Sequence, residues 1–187
     1  MGTCFERKMF LAKKIKEESE VGYILYMWQL EDIVRAFGCD AEKIIELYIP
    51  KLGYEGDTMK QEQQWWRDIV EMMRSEGILQ SGHLQMVKGT LSLLSDKHAE
   101  LLSDTKETLY NALYYKALPF IVELRSKGAN REKPELEICF EALYGVTLLK
   151  MKQQEISKQT QEAHDSIANL LTYLNKKYKE EKLNAQN

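Results

Sequence analysis

The chain has 187 residues, 44% of them hydrophobic and 29% charged, with a formal net charge of −3. That balance is enough for one sizeable core without disulfides or metal, and the length suits one domain better than two. The mild acidity argues against a broad basic face for nucleic acid.

Cys4, Cys39 and Cys139 are odd in number, widely spaced and lack a C-x-x-C pair. A disulfide framework or zinc knuckle is therefore disfavoured, and reduced thiols in a cytoplasm are the simpler expectation. The longest charge-free stretch, Gly77–Val87, is about half the roughly 20 residues of a membrane span. Apolar Val21–Trp28 follows Glu17, Glu18 and Glu20, the reverse of a signal peptide's order. Gly2 lacks the Ser or Thr of a myristoylation signal, because Glu6 stands there.

Three prolines and ten glycines leave long uninterrupted stretches, and hydrophobic residues recur with a helical rather than a two-residue period. The fold class this predicts is all-α: a single-domain bundle of six or seven helices with short loops, over residues 9–180. Residues 1–8 and 181–187 are expected to fray. A first helical stretch runs from Met9 to Phe37, with a break near Ser19–Gly22. Gly38-Cys39-Asp40 resets the chain, and Asp40 is placed to cap a short helix towards Leu52 that Pro50 weakens. After Gly53 and Gly56, Thr58 and Gln61 have capping-box spacing for a helix carrying Trp65, Trp66, Ile69, Val70 and Met73, which Gly77 ends. Leu84, Val87, Leu91, Leu94, His98 and Leu101 then form one apolar stripe.

Asp104 and Glu107 again have capping-box spacing, opening a helix towards Lys127 in which Pro119 predicts a kink. Ser126–Lys133 is the most polar connection, and Pro134 suits the first position of the next helix. Ile138–Met151 reads as a helix buried on most sides, with Glu141 and Lys150 its only charges. Ala163, Ile167, Leu170, Leu174 and Tyr178 mark the last helix, before a polar tail from Lys179.

Three blocks carry a resemblance: Tyr26-Met27-Trp28-Gln29-Leu30-Glu31-Asp32-Ile33-Val34-Arg35-Ala36-Phe37, the run from Tyr114 to Arg125, and the run from Cys139 to Val146. With Met73-Arg74-Ser75-Glu76-Gly77 and Gly82-His83-Leu84-Gln85, they make residues 9–179 resemble an uncharacterised bacterial family, one of the domains of unknown function. The resemblance implies a compact, helical, cytoplasmic protein and carries over no activity and no catalytic residue.

Several chemistries can be weighed directly. A di-metal carboxylate site needs Glu-x-x-His pairs on inward faces, but Gln80, Ser95 and Gln161 stand three before His83, His98 and His164. No cofactor or metal is therefore expected. His98, on its apolar stripe, is either a buried base or pH switch or a core imidazole satisfied by a neighbouring oxygen. Cys139 lies between Ile138 and Phe140 and reads as an inert small hydrophobe, while Asp40 beside Cys39 would raise that thiol's pKa. No nucleophile elbow, P-loop or G-x-G-x-x-G occurs, so the case for an enzyme is weak. The basic clusters Arg7–Lys16 and Lys176–Lys182 are diluted by glutamates and read as solvated helix faces.

One constellation stays open. Arg35, Lys116, Glu123 and Glu141 are charges on otherwise apolar helices, and Glu31–Arg35 has i,i+4 spacing. Such charges either pair at the rim or line a polar pocket between helices for a small anionic or amide-bearing ligand. The leading functional expectation is a non-catalytic helical protein acting through protein contacts, as a homo-oligomer or adaptor. The alternatives are a small-molecule-binding protein or undetected enzyme using Arg35, Lys116, Glu123 and Glu141, and, third, a weak nucleic-acid binder.

Overall fold

A computed structural model describes residues 8–53, 55–127 and 132–185. Among these the chain is all-α, with no strand. Its helices are α1 (Lys8–Glu18), α2 (Glu20–Ala36), α3 (Ala41–Leu47), α4 (Gly56–Ser75), α5 (Gln85–Ser103), α6 (Thr108–Lys127), α7 (Glu135–Met151) and α8 (Lys158–Asn184). A single 3-10 turn, Ile49–Leu52, follows α3. The chain packs as two compact units, residues 1–90 and 91–187, whose boundary falls inside α5.

In the first unit, the expected break in the leading helix sits at Ser19, which has extended backbone and accepts a hydrogen bond from the Gly22 N–H at 2.9 Å. This N-cap turns one helical stretch into α1 and α2 and brings the described helices to eight. On α2, Ile24, Met27, Leu30 and Val34 recur at steps of three and four and are all buried. They share a core with Ile44, Ile49, Trp66, Ile69, Met73 and Leu84. The Tyr48 ring meets Trp66 edge-on, with centroids 5.8 Å apart.

Gly38 and Cys39 are consecutive left-handed residues, with φ of +69° and +58°. Their N–H groups bond to the carbonyls of Arg35 and Val34, both at 2.9 Å, and so satisfy the end of α2. Asp40 then caps α3 as the sequence suggests, accepting from the Glu42 and Lys43 N–H groups. A Cβ at Gly38 would meet no atom within 4 Å, so Gly38→Ala carries a purely conformational cost. We expect urea unfolding to show a loss of about 1–2 kcal/mol.

Capping-box spacing misplaces two helix starts. Helix α4 begins at Gly56, with Glu55 in the capping position and no side-chain cap, so Thr58 lies inside the first turn. Helix α6 begins at Thr108, not Asp104. Asp104 accepts from the Lys106 N–H in the preceding turn, while Glu107 faces α8, where Lys177 Nζ is 2.6 Å and the donating Tyr173 hydroxyl 3.3 Å away. A tertiary ion pair outcompetes the reciprocal cap there.

In the second unit α6 packs on α7 and α8, and α7 packs on α8. The core gathers Leu94 and Leu101 of α5, Tyr110, Ala117 and Ile121 of α6, and Ile167, Leu170, Leu171 and Leu174 of α8. Helix α7 contributes Leu136, Ile138, Cys139, Phe140, Leu143 and Val146, all buried. Helix α6 runs through Pro119 to Lys127. Pro119 is exposed, so the Tyr115 carbonyl left without its helical donor faces the solvent side of the helix. Pro134 occupies the N-cap of α7, one residue before its expected place. Helix α8 continues through the polar segment to Asn184.

Candidate functional site

The first unit's most organised polar feature is the N-terminus of α5. No Ser, Thr, Asp or Asn caps this helix, and its first N–H groups need acceptors. Two distant carboxylates supply them. Glu31 of α2, fully buried, accepts from the Leu84 N–H at 2.9 Å, and Glu76 accepts from the Gln85 N–H at 2.7 Å. Anions are favoured there because the helix dipole presents its positive end. The second oxygen of Glu31 lies 2.6 Å from His83 Nδ1, and the His83 ring stacks on Trp28 at a centroid distance of 4.2 Å and an interplanar angle of 11°.

Arg35 completes this clasp. Its guanidinium bonds to Asp32 and donates to the carbonyls of Ile78, at 3.2 Å, and Gly82. Cys39 Sγ lies 3.5 Å from the Leu79 carbonyl. The i,i+4 pairing of Glu31 with Arg35 suggested by spacing is thus replaced: each residue faces the 78–84 segment, and Asp32 takes Arg35. Trp28, Glu31 and Arg35 occur at steps of three and four on α2. That mixed stripe is the signal by which Glu31 and its partner His83 could have been found.

A second polar cluster lies in the other unit. His98, 8% exposed, approaches the fully buried Tyr110 hydroxyl through Nδ1 at 2.5 Å and Glu135 through Nε2 at 3.3 Å. Tyr114 donates to the other Glu135 oxygen at 3.5 Å, and Arg125 lies 3.9 Å from it. The hydrogen bond from His98 holds the Glu135 carboxyl below the usual range, against the opposing pull of burial. Burial, followed by the potentials of Cys139 and Glu135, pushes the Tyr110 phenol far up, so it stays neutral. Neutral His98 accepts from this hydroxyl and donates to Glu135; protonated His98 donates to both. Both ring nitrogens of His98 thus have an oxygen partner. Burial also raises the neighbouring Cys139 thiol to about 12, which leaves it protonated and inert.

The four charged residues singled out by sequence have separate surroundings. Arg35 belongs to the first unit and Lys116, Glu123 and Glu141 to the second. Glu123 pairs with Lys127 and accepts from Gln159 at 3.3 Å. Glu141 pairs with Lys133 and borders a groove of about 420 Å³ whose floor includes Ile138, Val146 and Leu149. Lys116 is exposed on α6. Among the described residues no group of three or more His, Cys, Asp or Glu side chains is placed to hold a metal, and no helix is long and apolar enough to cross a membrane.

The outer face of α6 exposes large hydrophobic side chains. Leu109, Tyr115 and Val122 are 55%, 66% and 57% exposed. With Ala112, Lys116 and Pro119, all exposed, they occupy about 140° of the helix at 100° per residue and run about 20 Å along it. Opposite them, Tyr110, Ala117 and Ile121 face the core.

No curated protein and no solved structure matches the chain. A family model does, over residues 9–185, and the chain therefore belongs to the family described as domain of unknown function (DUF4924).

Proposed function

We propose that this is a non-catalytic protein that acts through protein contacts made by the outer face of α6. The observation that carries this reading is the exposed row Leu109, Tyr115 and Val122. Isolated apolar side chains at a surface are ordinary, but a continuous stripe on one helix is what a partner covers. The polar clusters support the same reading. His98 is engaged at both ring nitrogens, and His83 meets a carboxylate and an indole rather than a hydroxyl or thiol. Each imidazole is tied to structure. The free thiols of Cys39 and Cys139 suit a reducing cytoplasm, where we place the protein.

The test is the native size of the protein in concentrated lysate at its ordinary expression level. Wild-type chain should migrate well above its 21.9 kDa mass. The double variant Leu109→Lys, Val122→Lys should fall to that mass, with unchanged circular dichroism and an unfolding free energy within about 0.5 kcal/mol of wild type, as for surface substitutions. Wild type migrating as a monomer, or a variant complex unchanged in size, would refute the proposal.

A further inference from the structure

The second unit carries a concave apolar surface bordered by an arginine whose buried Nε has no hydrogen-bond acceptor. Ile138, Ala142, Gly145 and Leu149 follow one another along α7 at steps of four, three and four, so they share one face of the helix. With Val146, the last turn of α6 and Thr160 of α8, that face forms the groove of about 420 Å³. At the helical rise it is about 16 Å long, and its volume lies in the range of small-molecule sites, roughly 300–1,000 Å³. We infer that this groove binds a monocarboxylate with an aliphatic chain, the carboxylate on Arg125 and the chain along α7.

Charge selects the head group. The Glu135 carboxylate stands 3.9 Å from Arg125 Nη2, too far for a hydrogen bond, and Glu135 meets His98 and Tyr114 instead. The other charges lining the groove are matched in pairs, Lys127 with Glu123 and Glu141 with Lys133. The Arg125 guanidinium is therefore the lining cation whose donors a ligand can take up, and its planar fork fits the two oxygens of a carboxylate. One such cation suits a single negative charge. A phosphate dianion would bring its second charge towards Glu135, beside Arg125, and towards Glu141 in the same lining.

The floor selects the rest of the ligand. Among the described residues lining the groove there is no aromatic ring, so a flat base or ring gains no stacking partner, whereas Leu124, Ile138, Val146 and Leu149 suit methylene groups. Gly145 adds a second sign. Glycine inside a helix is destabilising relative to alanine, yet here its φ is not positive and a Cβ would meet no described atom within 4 Å. Neither backbone conformation nor packing within the described chain calls for a glycine at this position; an aliphatic chain lying close over the helix does. Glu141, expected from sequence to share a pocket with Arg35, Lys116 and Glu123, borders this groove with Arg125 instead.

Methyl NMR on the purified full-length chain tests this, with octanoate as the probe and 1-octanol as its uncharged counterpart. Octanoate should shift the methyl signals of Ile138, Val146 and Leu149 with a Kd on the order of 0.1–1 mM, as its few heavy atoms allow, and should leave Leu109 and Val122 on the outer face of α6 unmoved. Octanol should bind the same methyls about tenfold more weakly, and Arg125→Gln should reduce octanoate to the level of octanol without changing octanol itself, which separates loss of the head-group contact from damage to the fold. Gly145→Leu fills the groove from its floor with a good helix former, so it should keep the wild-type circular dichroism and Tm and lose both probes. Octanol binding as tightly as octanoate, or Arg125→Gln keeping the preference for octanoate, would overturn the carboxylate. Shifts confined to Leu109 and Val122, no shifts at all, or a folded Gly145→Leu chain that binds octanoate as wild type does, would overturn the groove as the site.

Discussion

Replacing Glu31 with alanine should lower the free energy of unfolding by about 3–5 kcal/mol, the cost of breaking a buried pair by deleting one partner. Glu31 has no exposed surface, and its two oxygens serve different donors, the Leu84 N–H and His83 Nδ1. Alanine leaves the Leu84 N–H, just before α5, and a stacked imidazole without their acceptor, in a place water reaches poorly. With total stabilities of about 5–15 kcal/mol typical of domains, the effect should be obvious in urea unfolding. Glu31→Gln separates shape from charge: its amide oxygen can accept from one donor, but its NH2 cannot accept from the other, so its loss should be intermediate. Glu76→Gln is the control, since exposed Glu76 makes the neighbouring bond to Gln85 and should cost less than about 1 kcal/mol. Hydrogen exchange at the Leu84 amide should accelerate in Glu31→Ala far more than at amides in the middle of α2. A Glu31→Ala protein as stable as wild type would mean that this clasp does not hold the 78–84 segment.

The same residues show what a sequence can and cannot disclose. Elements whose boundaries depend on neighbours in the chain were legible. Ser19 and Asp40 cap helices within three residues of themselves, Gly77 takes φ +69° just past α4, and apolar periodicity located the buried face of α5. The start of α5 was legible only as a stripe, because its caps come from Glu31 and Glu76, 53 and nine residues away. Asp104 and Glu107 show the converse. Their spacing satisfies a local rule, yet Lys177, 70 residues on, takes the Glu107 carboxylate. Nor does spacing distinguish Glu31–Arg35 from Asp32–Arg35, since both pairs are neighbours on a helix; the fold decides by placing backbone carbonyls beside Arg35. Similarly, exposed hydrophobic residues on α6 are invisible until burial is known, because Tyr110 and Tyr115 look alike in a string and only one is in the core.

Removing the His98 imidazole should have the next largest effect. His98→Ala opens a cavity in the second unit and strips the Tyr110 hydroxyl of its partner, together about 3 kcal/mol at neutral pH. Tyr110→Phe removes only the hydroxyl and leaves the ring packed, so about 1–2 kcal/mol is expected. Acid distinguishes the imidazole's bond to Glu135 from its bulk. Glu135 titrates below its ordinary value of about 4.5 in the folded chain, first because His98 donates to it. A carboxyl with a lowered folded pKa releases protons on folding, so its contribution is complete above the ordinary value and disappears as pH falls through the folded one. Wild type should therefore lose stability on acidification below pH 4.5 partly through Glu135, whereas His98→Ala, lacking the bond, has less to lose there. The deficit of His98→Ala against wild type should accordingly be larger at pH 7 than at pH 3, measured by urea unfolding at each. If Glu135 gained nothing from His98, the two deficits would match, and the imidazole would serve the core as volume alone.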